Sequence, residues 1–163
     1  MIIGKGDIAS IINDREGALF FVSGVSNSNE TRDAEFFREI ELLDKQDRSK
    51  CLFYFSSISV DDISKVGNSK YLQHKLRMEM LIKSNFKNYN IIRIGNIMWG
   101  TNPNTFLNYI RTKIKKGEPV LIKDEYKFVI DKEQLLLLTD NLPLIGQNTI
   151  SVFGKMAKVN DLI

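Results

Sequence analysis

Three side chains, Ser57, Tyr71 and Lys75, form the combination in this sequence that is best suited to acid–base chemistry. Tyr71 and Lys75 are four positions apart, so on a helix their side chains share one face. A lysine ammonium beside a phenol favours the phenolate, which makes a tyrosine a usable general acid or base near neutral pH. A serine hydroxyl at the end of a neighbouring strand can orient a substrate hydroxyl or carbonyl. Because a Tyr-x-x-x-Lys pair also arises by chance on amphipathic helices, the elements around it decide its meaning.

Strand and helix patterns alternate through the first part of the chain. The predicted strands are continuous apolar runs, typical of parallel strands buried on both faces, at 1–3, 18–22, 52–55 and 91–94. Helices are predicted over 31–43 and 70–83 from their apolar spacing, and Asp7–Asn13 is compatible with two helical turns. This alternation predicts βαβ units with right-handed crossovers and a parallel sheet.

The rest of the chain contains all three prolines and is predicted to be less regular. A helix is expected over 105–116, ending at Gly117, and a second helix over 131–139. The short strands predicted there are 120–123, 127–130 and 149–153.

The segments that follow the predicted strands are rich in glycine, serine and asparagine. Ligands of parallel α/β sheets bind at the carboxyl ends of the strands, so these segments are the expected walls of a polar crevice. They are 4–6, 23–28, 56–59 and 95–99. The alternative is that they are ordinary surface loops, which are polar in most proteins.

Several of these stretches resemble, in order, the short-chain dehydrogenase/reductase superfamily, and more narrowly its extended NAD-dependent epimerase/dehydratase branch, which acts on nucleotide sugars. Residues 52–60 look like that branch's strand with paired serines, and 71–75, with Glu79 beyond it, looks like its Tyr-x-x-x-Lys helix. Residues 93–97 with Gly100 look like the strand and loop that follow. The likeness continues through 106–120, 127–139 and 149–153.

The first glycines also fit this likeness. Gly4-Lys-Gly6-Asp-Ile-Ala9 matches a Gly-x-Gly-x-x-Ala fingerprint, whose glycines allow a pyrophosphate to approach a helix N-terminus. The branch has one more residue between its first two glycines, so the functional turn and an ordinary turn both remain open.

The resemblance implies roles for particular residues. It implies NAD or NADP as cofactor and a nucleotide sugar as substrate, with no metal site. The residues it implies are Ser57, Tyr71 and Lys75 for catalysis, Gly4, Gly6, Ser23, Gly24, Tyr71 and Lys75 for the cofactor, and Ser57, Asn96 and Trp99 for the substrate. Trp99 is equally compatible with a packed lid or an interface residue, Asn96 with a turn, and His74 with a surface or interface position rather than a catalytic one.

The chain also departs from the branch's pattern. About two βα units are missing between the glycine turn and the strand at 18–22, and with them the acidic residue that grips the adenosine ribose. The expected fold is therefore α/β, a reduced Rossmann-like three-layer parallel sheet with flanking helices and a small irregular C-terminal lobe. We expect a truncated Rossmann-like domain over 1–98, with a remnant of the substrate lobe, 99–163, packed on it.

Two function classes, and a third related to them, follow from these features. The intact Ser/Tyr/Lys set favours an NAD(P)-dependent epimerase, dehydratase or reductase acting on a nucleotide-activated sugar, as in polysaccharide biosynthesis. The missing adenine-side units favour a degenerate, non-catalytic member that binds a nucleotide sugar or a partner. A third possibility is a structural subunit that completes another dehydrogenase.

Composition narrows the remaining classes. The 163 residues carry 23 basic and 20 acidic side chains, too mild an excess to predict nucleic-acid binding. A single cysteine and a single histidine exclude a disulfide and a Cys/His zinc site within the chain. Without a signal-like start or an apolar run of about 18 residues, we expect a cytoplasmic protein that does not bind membranes.

The two helices of the first part carry apolar stripes that suggest an interface. The stripes are Phe36, Phe37, Ile40 and Leu43 on one helix, and Leu72, Leu76 and Met80 on the other. In the branch, the corresponding helices often pair across a two-fold axis, so the resemblance implies a homodimer through 31–43 and 71–83. The alternative is that both stripes cover the sheet.

Overall fold

The structure is a computed structural model that describes residues 1–122 and 125–163. A five-stranded, entirely parallel sheet forms its centre, with the strands in the order β1-β2-β3-β4-β7. These strands are β1 (Ile2–Ile3), β2 (Ala18–Phe21), β3 (Cys51–Ser57), β4 (Tyr89–Ile94) and β7 (Gln147–Val152). The continuous apolar runs of β2, β3 and β4 are almost fully buried, as their composition predicts.

Apolar layers cover both faces of this sheet, which gives the expected three-layer arrangement. Helices α1 (Asp33–Asp44) and α3 (Lys70–Asn85) cover one face, where Leu43, Met78 and Ile82 pack. Helix α5 (Lys132–Asn141) contributes Leu135 to the core of the opposite face. The predicted fold class is therefore confirmed.

A second, three-stranded sheet lies beyond the carboxyl end of β4. It consists of β5 (Asn96–Ile97), β6 (Tyr126–Ile130) and β8 (Lys155–Lys158), in the order β5-β6-β8. The remaining helices are α2 (Ile63–Val66), α4 (Phe106–Lys115) and two 3₁₀ turns, Ile58–Asp61 and Val159–Leu162. Because β7 returns to the main sheet beside β4, the residues after 98 contribute to both sheets, and the expected division at 98 stays a prediction.

Local sequence signals fix the helix ends. The Ser69 side chain accepts a hydrogen bond from the Leu72 N–H and caps α3, which holds Tyr71 and Lys75. Asp131 and Gln134 form a reciprocal capping box at the start of α5. Helix α4 ends just before Gly117, whose φ is +68°.

Two sequence predictions are wrong. Residues 7–11 form consecutive turns rather than a helix, with only isolated bonds such as Ser10 N–H to the Gly6 carbonyl at 3.1 Å. Residues 120–122 form no strand, and residue 123, the end of that predicted strand, lies outside the described residues. The strands β5 and β8 were not predicted because each is short and lacks a continuous apolar run.

No helix within residues 1–122 and 125–163 is long and apolar enough to cross a bilayer. The same described residues contain no group of three histidine, cysteine, aspartate or glutamate side chains that could hold a metal ion. Cys51 is buried, as its apolar setting predicts.

Gly4 gives a direct test of the tight packing between the first two strands. Its φ is +135°, and a Cβ at this position would lie 2.5 Å from the Val22 carbonyl oxygen. We expect Gly4→Ala to lower the free energy of unfolding by about 2 kcal/mol, measured by urea denaturation. Gly6→Ala is the matched control, because no described neighbour lies within 4 Å of the position that a Cβ on Gly6 would take, and its effect should stay within about 1 kcal/mol. Equal losses in the two variants would contradict this packing.

Candidate functional site

A cleft of about 850 Å³ lies at the carboxyl ends of β1 to β4, where parallel α/β sheets bind ligands. Of the residues implicated by the sequence, those that line it are Gly6, Ser23, Gly24, Ser57, Tyr71, Lys75 and Asn96. The first three follow β1 and β2, Ser57 ends β3, and Tyr71 and Lys75 come from the first turns of α3. The topology therefore brings the Ser/Tyr/Lys set into one cleft.

Two of the implicated residues are not among those that line the cleft. Gly4 packs against the end of β2, as described above. Trp99 packs against the core cluster on the α5 face, and its Nε1–H donates to the Asp7 carbonyl oxygen at 3.0 Å. The contacts of Trp99 are those of a packed residue, one of the two alternatives left open by the sequence.

The Lys75 ammonium lies at the floor of the cleft, where its side chain is almost fully buried. Its Nζ donates to the Tyr54 hydroxyl at 3.1 Å and approaches the Phe55 carbonyl oxygen at 3.5 Å. It also lies 5.7 Å from the centre of the Tyr71 ring. The pairing of Tyr71 with Lys75 on one helix face, which the spacing predicts, is thus present.

Beneath Lys75 lies a carboxylate that sequence reasoning missed. Glu39 of α1 is completely buried, with its Oε1 3.8 Å from the Lys75 Nζ. Its oxygens accept hydrogen bonds from the Tyr54 hydroxyl at 2.9 Å and from the Val25 N–H at 2.8 Å. The available signal was a charged residue at position 39 inside the apolar stripe of a helix, since carboxylates are almost never fully buried without partners.

Opposing effects act on the pKa of Glu39. Burial is the largest of them and raises the pKa, but the Lys75 ammonium and the hydrogen bonds from His74 and Val25 outweigh it and bring the pKa to about 2. Burial, followed by the neighbouring Glu39 carboxylate, raises the pKa of Tyr54 well above its ordinary value. Glu39 is therefore the anion of this cluster, and Tyr54 is a neutral hydroxyl that bridges it to Lys75.

The prediction that His74 lies at a surface or an interface is wrong for the described chain. The imidazole is buried, its Nε2 lies 2.9 Å from Glu39 Oε2, and its ring stacks on Phe36 with the ring centres 4.6 Å apart. One position before Lys75 on α3, it faces α1 and completes the set of partners around Glu39.

The paired serines at the end of β3 differ in their surroundings. The Ser57 Oγ accepts a hydrogen bond from the Ser59 N–H at 3.2 Å and keeps its own O–H available for donation. The Ser56 Oγ is buried and has no hydrogen-bond partner within the described part of the chain. Strand alternation places Ser56 on the face of Tyr54 and Ser57 on the face of Phe55.

An ion network holds the segment that follows Ser57. Arg93 of β4 donates two parallel hydrogen bonds to the buried Glu79 of α3, at 3.0 and 2.6 Å, and also pairs with Asp61. Asp61 accepts in turn from the Ser151 hydroxyl at 2.8 Å. Asp61 thus ties the 3₁₀ turn to β4 and β7.

The glycine turn after β1 lacks a helix that could bind a pyrophosphate. Its next residue, Asp7, accepts hydrogen bonds through its carboxylate from the N–H groups of Thr101 and Asn102, both at 3.0 Å. Gly100 packs so closely on Asp7 that a Cβ there would lie 2.1 Å from the Asp7 Cγ. The turn at Gly6 is therefore closed by its contact with residues 100–102, and the helix N-terminus that the fingerprint implies is not formed there.

The cleft is lined by more basic than acidic side chains. Among the described lining residues, the basic side chains are Lys5, Arg38, Lys65, Lys75 and Lys127, and the acidic ones are Asp7 and Glu125. Four of these cations lie beside carboxylates, in the pairs Arg38–Glu35, Lys65–Asp62, Lys75–Glu39 and Lys127–Glu125. The cleft therefore presents mainly ion pairs to a ligand rather than a simple excess of positive charge.

Comparison with solved structures identifies the fold. The enzyme WbmH of Bordetella bronchiseptica, in complex with NAD⁺, matches with a TM-score of 0.69 at 11% identity, over 89% of this chain and 55% of that one. UDP-glucose 4-epimerase of Thermotoga maritima, with UDP-glucose, matches with a TM-score of 0.62 at 16% identity, over 90% and 58%. The capsular polysaccharide assembling protein CapF of Staphylococcus aureus matches with a TM-score of 0.54 at 15% identity, over 90% and 42%.

These likenesses confirm the resemblance drawn from the sequence at the level of fold. The chain has the Rossmann-like fold seen in nucleotide-sugar epimerases, and it spans about half the length of the structures it matches. No protein-family model and no curated protein matches the chain.

The Glu39 cluster predicts a specific loss of stability in acid. The Glu39 pKa is about 2 in the folded protein, against an ordinary value of 4.5. The ionised carboxylate therefore contributes fully to the free energy of unfolding above pH 4.5, and this contribution is lost as the pH falls towards about 2. We expect Glu39→Gln to be less stable than the wild type at neutral pH. The gap, which is the difference between their free energies of unfolding, should narrow by about 1–3 kcal/mol between about pH 5 and about pH 2. Urea denaturation across this range measures the gap. Glu41→Gln, an exposed change on the same helix, should show no such trend, and a constant gap for Glu39→Gln would contradict the assignment.

Proposed function

We propose that the cleft is the site of an NAD(P)-dependent epimerase, dehydratase or reductase that acts on a nucleotide-activated sugar. The observation that carries the proposal is that Ser57, Tyr71 and Lys75, from a strand end and a helix, line one cleft. The matched structures support it, because they include a UDP-glucose epimerase and an enzyme that binds NAD⁺.

In this proposal, Tyr71 exchanges a proton with a sugar hydroxyl. The Ser57 hydroxyl donates a hydrogen bond that orients the same carbon–oxygen bond, and Lys75 lies beside the phenol, with its Nζ 5.7 Å from the centre of the Tyr71 ring. Asn96, which lies at the cleft beside β6, is the proposed contact for the sugar.

The nicotinamide end of the cofactor fits the residues present. Tyr71 and Lys75 would hold the nicotinamide ribose, with Gly6, Ser23 and Gly24 along the neighbouring wall of the cleft. When bound, NAD(P) supplies the acceptor and donor of hydride. The basic side chains at the cleft rim, Lys5 and Arg38, suit the phosphates of a nucleotide.

A second function is favoured by the glycine turn. Since residues 7–11 form turns and the Asp7 carboxylate is bound to the 101–102 backbone, the chain offers no helix N-terminus for a pyrophosphate there. A non-catalytic protein that binds a nucleotide sugar, without a cofactor, would need only the substrate part of the cleft.

Tyr71→Phe separates the two functions when it is combined with ligand titrations. For the enzyme, we expect calorimetry to detect binding of NAD(H) or NADP(H), and turnover of UDP-sugars to fall by about 10²–10⁴-fold in Tyr71→Phe, with ligand affinity nearly unchanged. Binding of a UDP-sugar without any binding of the dinucleotides would instead establish the second function.

The chain contains a closely matched control for this variant. Tyr109 and Lys113 have the same spacing on α4, and the Lys113 Nζ lies 5.8 Å from the Tyr109 ring centre, but neither residue lines the cleft. Tyr109→Phe should leave turnover unchanged. Equal losses in the two tyrosine variants, or no loss in Tyr71→Phe, would contradict the proposed role.

We also propose that the protein is a homodimer through α1 and α3. The sheet side of α3 is provided by Met78 and Ile82, so its other apolar residues are not needed there. Phe37 is 55% exposed on α1 and Met80 is 68% exposed on α3. The two helices lie side by side, as the contact of Phe36 with His74 shows, so both exposed apolar side chains lie on the same side of the sheet.

Charged substitutions on this face test the dimer. Light scattering should give the mass of a dimer for the wild type and of a monomer for Phe37→Glu and Met80→Glu, because a buried unpaired carboxylate opposes association. Leu137→Glu is the control, since Leu137 is 69% exposed on α5, on the opposite side of the sheet, and it should remain dimeric. A monomeric wild type at high concentration would refute the interface.

A further inference from the structure

The buried Glu39 carboxylate is the largest electrostatic feature that the proposed chemistry does not use. An isolated buried carboxylate is strongly destabilising, so a helix position that faces the sheet is an unfavourable place for one. Here four partners are supplied by three elements: Tyr54 by β3, His74 and Lys75 by α3, and the Val25 N–H by the loop after β2. These partners converge directly beneath the floor of the cleft.

Backbone packing fixes the distance between this cluster and the cleft. A Cβ added to Gly24 would lie 2.9 Å from Glu39 Oε1 and 3.0 Å from the Lys75 Nζ. Gly24 lines the cleft, so the main chain of the 23–25 loop covers the ion pair closely. Lys75 therefore has little freedom to move towards or away from a ligand.

The same geometry determines the charge that a ligand meets at the floor of the cleft. With the Glu39 carboxylate 3.8 Å behind the Lys75 Nζ, a ligand group at the cleft floor meets the field of an ion pair rather than of a single cation. The Nζ already donates to the Tyr54 hydroxyl and the Phe55 carbonyl oxygen, so at most one of its three N–H groups is left for a neutral hydroxyl group, and its attraction for a phosphate is largely cancelled. Attraction for anions therefore depends on other basic side chains that line the cleft, such as Lys5.

We propose that Glu39 is a positioning residue that holds the Lys75 ammonium at the cleft floor and cancels its charge there, so that this part of the cleft accepts neutral hydroxyl groups and excludes phosphate. Its relevance to turnover rests on the proposed function, but the position and the charge of Lys75 can be tested without any turnover.

The first experiment observes the ammonium group itself. In ¹⁵N-labelled protein, a buried and hydrogen-bonded lysine ammonium exchanges slowly with water, and its NMR signal is assigned to Lys75 by its loss in Lys75→Met. We expect this signal to disappear in Glu39→Gln and to persist, shifted, in Tyr54→Phe, where the direct ion pair remains. It should be unchanged in Glu41→Gln. An unchanged signal in Glu39→Gln, or its loss in Tyr54→Phe with Glu39 intact, would overturn the proposal.

The second experiment measures the charge that a ligand meets. Inorganic pyrophosphate is titrated at low salt into the wild type and each variant that folds. Glu39→Gln should bind it about tenfold more tightly, because the ammonium is no longer neutralised, whereas Tyr54→Phe and Glu41→Gln should stay within about twofold of the wild type. A merely structural role for Glu39 predicts no gain in anion affinity.

Each result decides the proposal. Unchanged or weaker pyrophosphate binding in folded Glu39→Gln overturns it. If Glu39→Gln does not fold, the Tyr54→Phe variant decides the proposal. Loss of its ammonium signal, or a tenfold change in its pyrophosphate affinity, overturns the proposal. A retained signal together with an unchanged pyrophosphate affinity supports it. Failure of nucleotide sugars and cofactors to bind the wild type would refute the proposed function, while these two experiments would still decide the role of Glu39.

Discussion

The need of one buried carboxylate for partners explains much of how the cleft is built. Glu39 is completely removed from solvent, so the loop after β2, strand β3 and the first turns of α3 must all bring donors to it. Those three elements are also the walls and the floor of the cleft. The interaction that makes Glu39 tolerable in the interior therefore also fixes Lys75, and with it the spacing between Tyr71 and the strand ends.

A second ion network plays a related role on the other side of Ser57. Arg93 joins Glu79 on α3 to Asp61 in the 3₁₀ turn, and Asp61 continues to Ser151 on β7. Both networks pass through α3, whose partly or fully buried polar residues lie at 71, 74, 75 and 79. The helix that carries the proposed acid–base pair is thus held by charge pairs as well as by apolar packing.

The sequence allowed the sheet to be predicted well, because continuous apolar runs leave few alternatives to a strand buried on both faces. The site was predictable only in part. Tyr71 with Lys75 and Tyr109 with Lys113 have identical spacing, and only the topology shows that the first pair lines a cleft. Glu39 and Asp7 were missed because their roles depend on partners far away in the chain, for which local periodicity carries no information.

The segment at 7–13 shows why a motif can match while its structural context does not. Its glycine spacing and apolar residues are compatible with a helix, but Ile8, Ile11 and Ile12 instead pack against the sheet core from a series of turns. In this conformation the Asp7 carboxylate accepts hydrogen bonds from two backbone N–H groups of the 101–102 loop. A helix starting at Gly6 would be favoured only if its own first N–H groups replaced these two donors. Because β1 is the edge strand of the described sheet and pairs only with β2, no neighbouring βα unit forces the turn to continue as a helix. The glycines are then explained by close packing at Gly4 and by an open turn at Gly6.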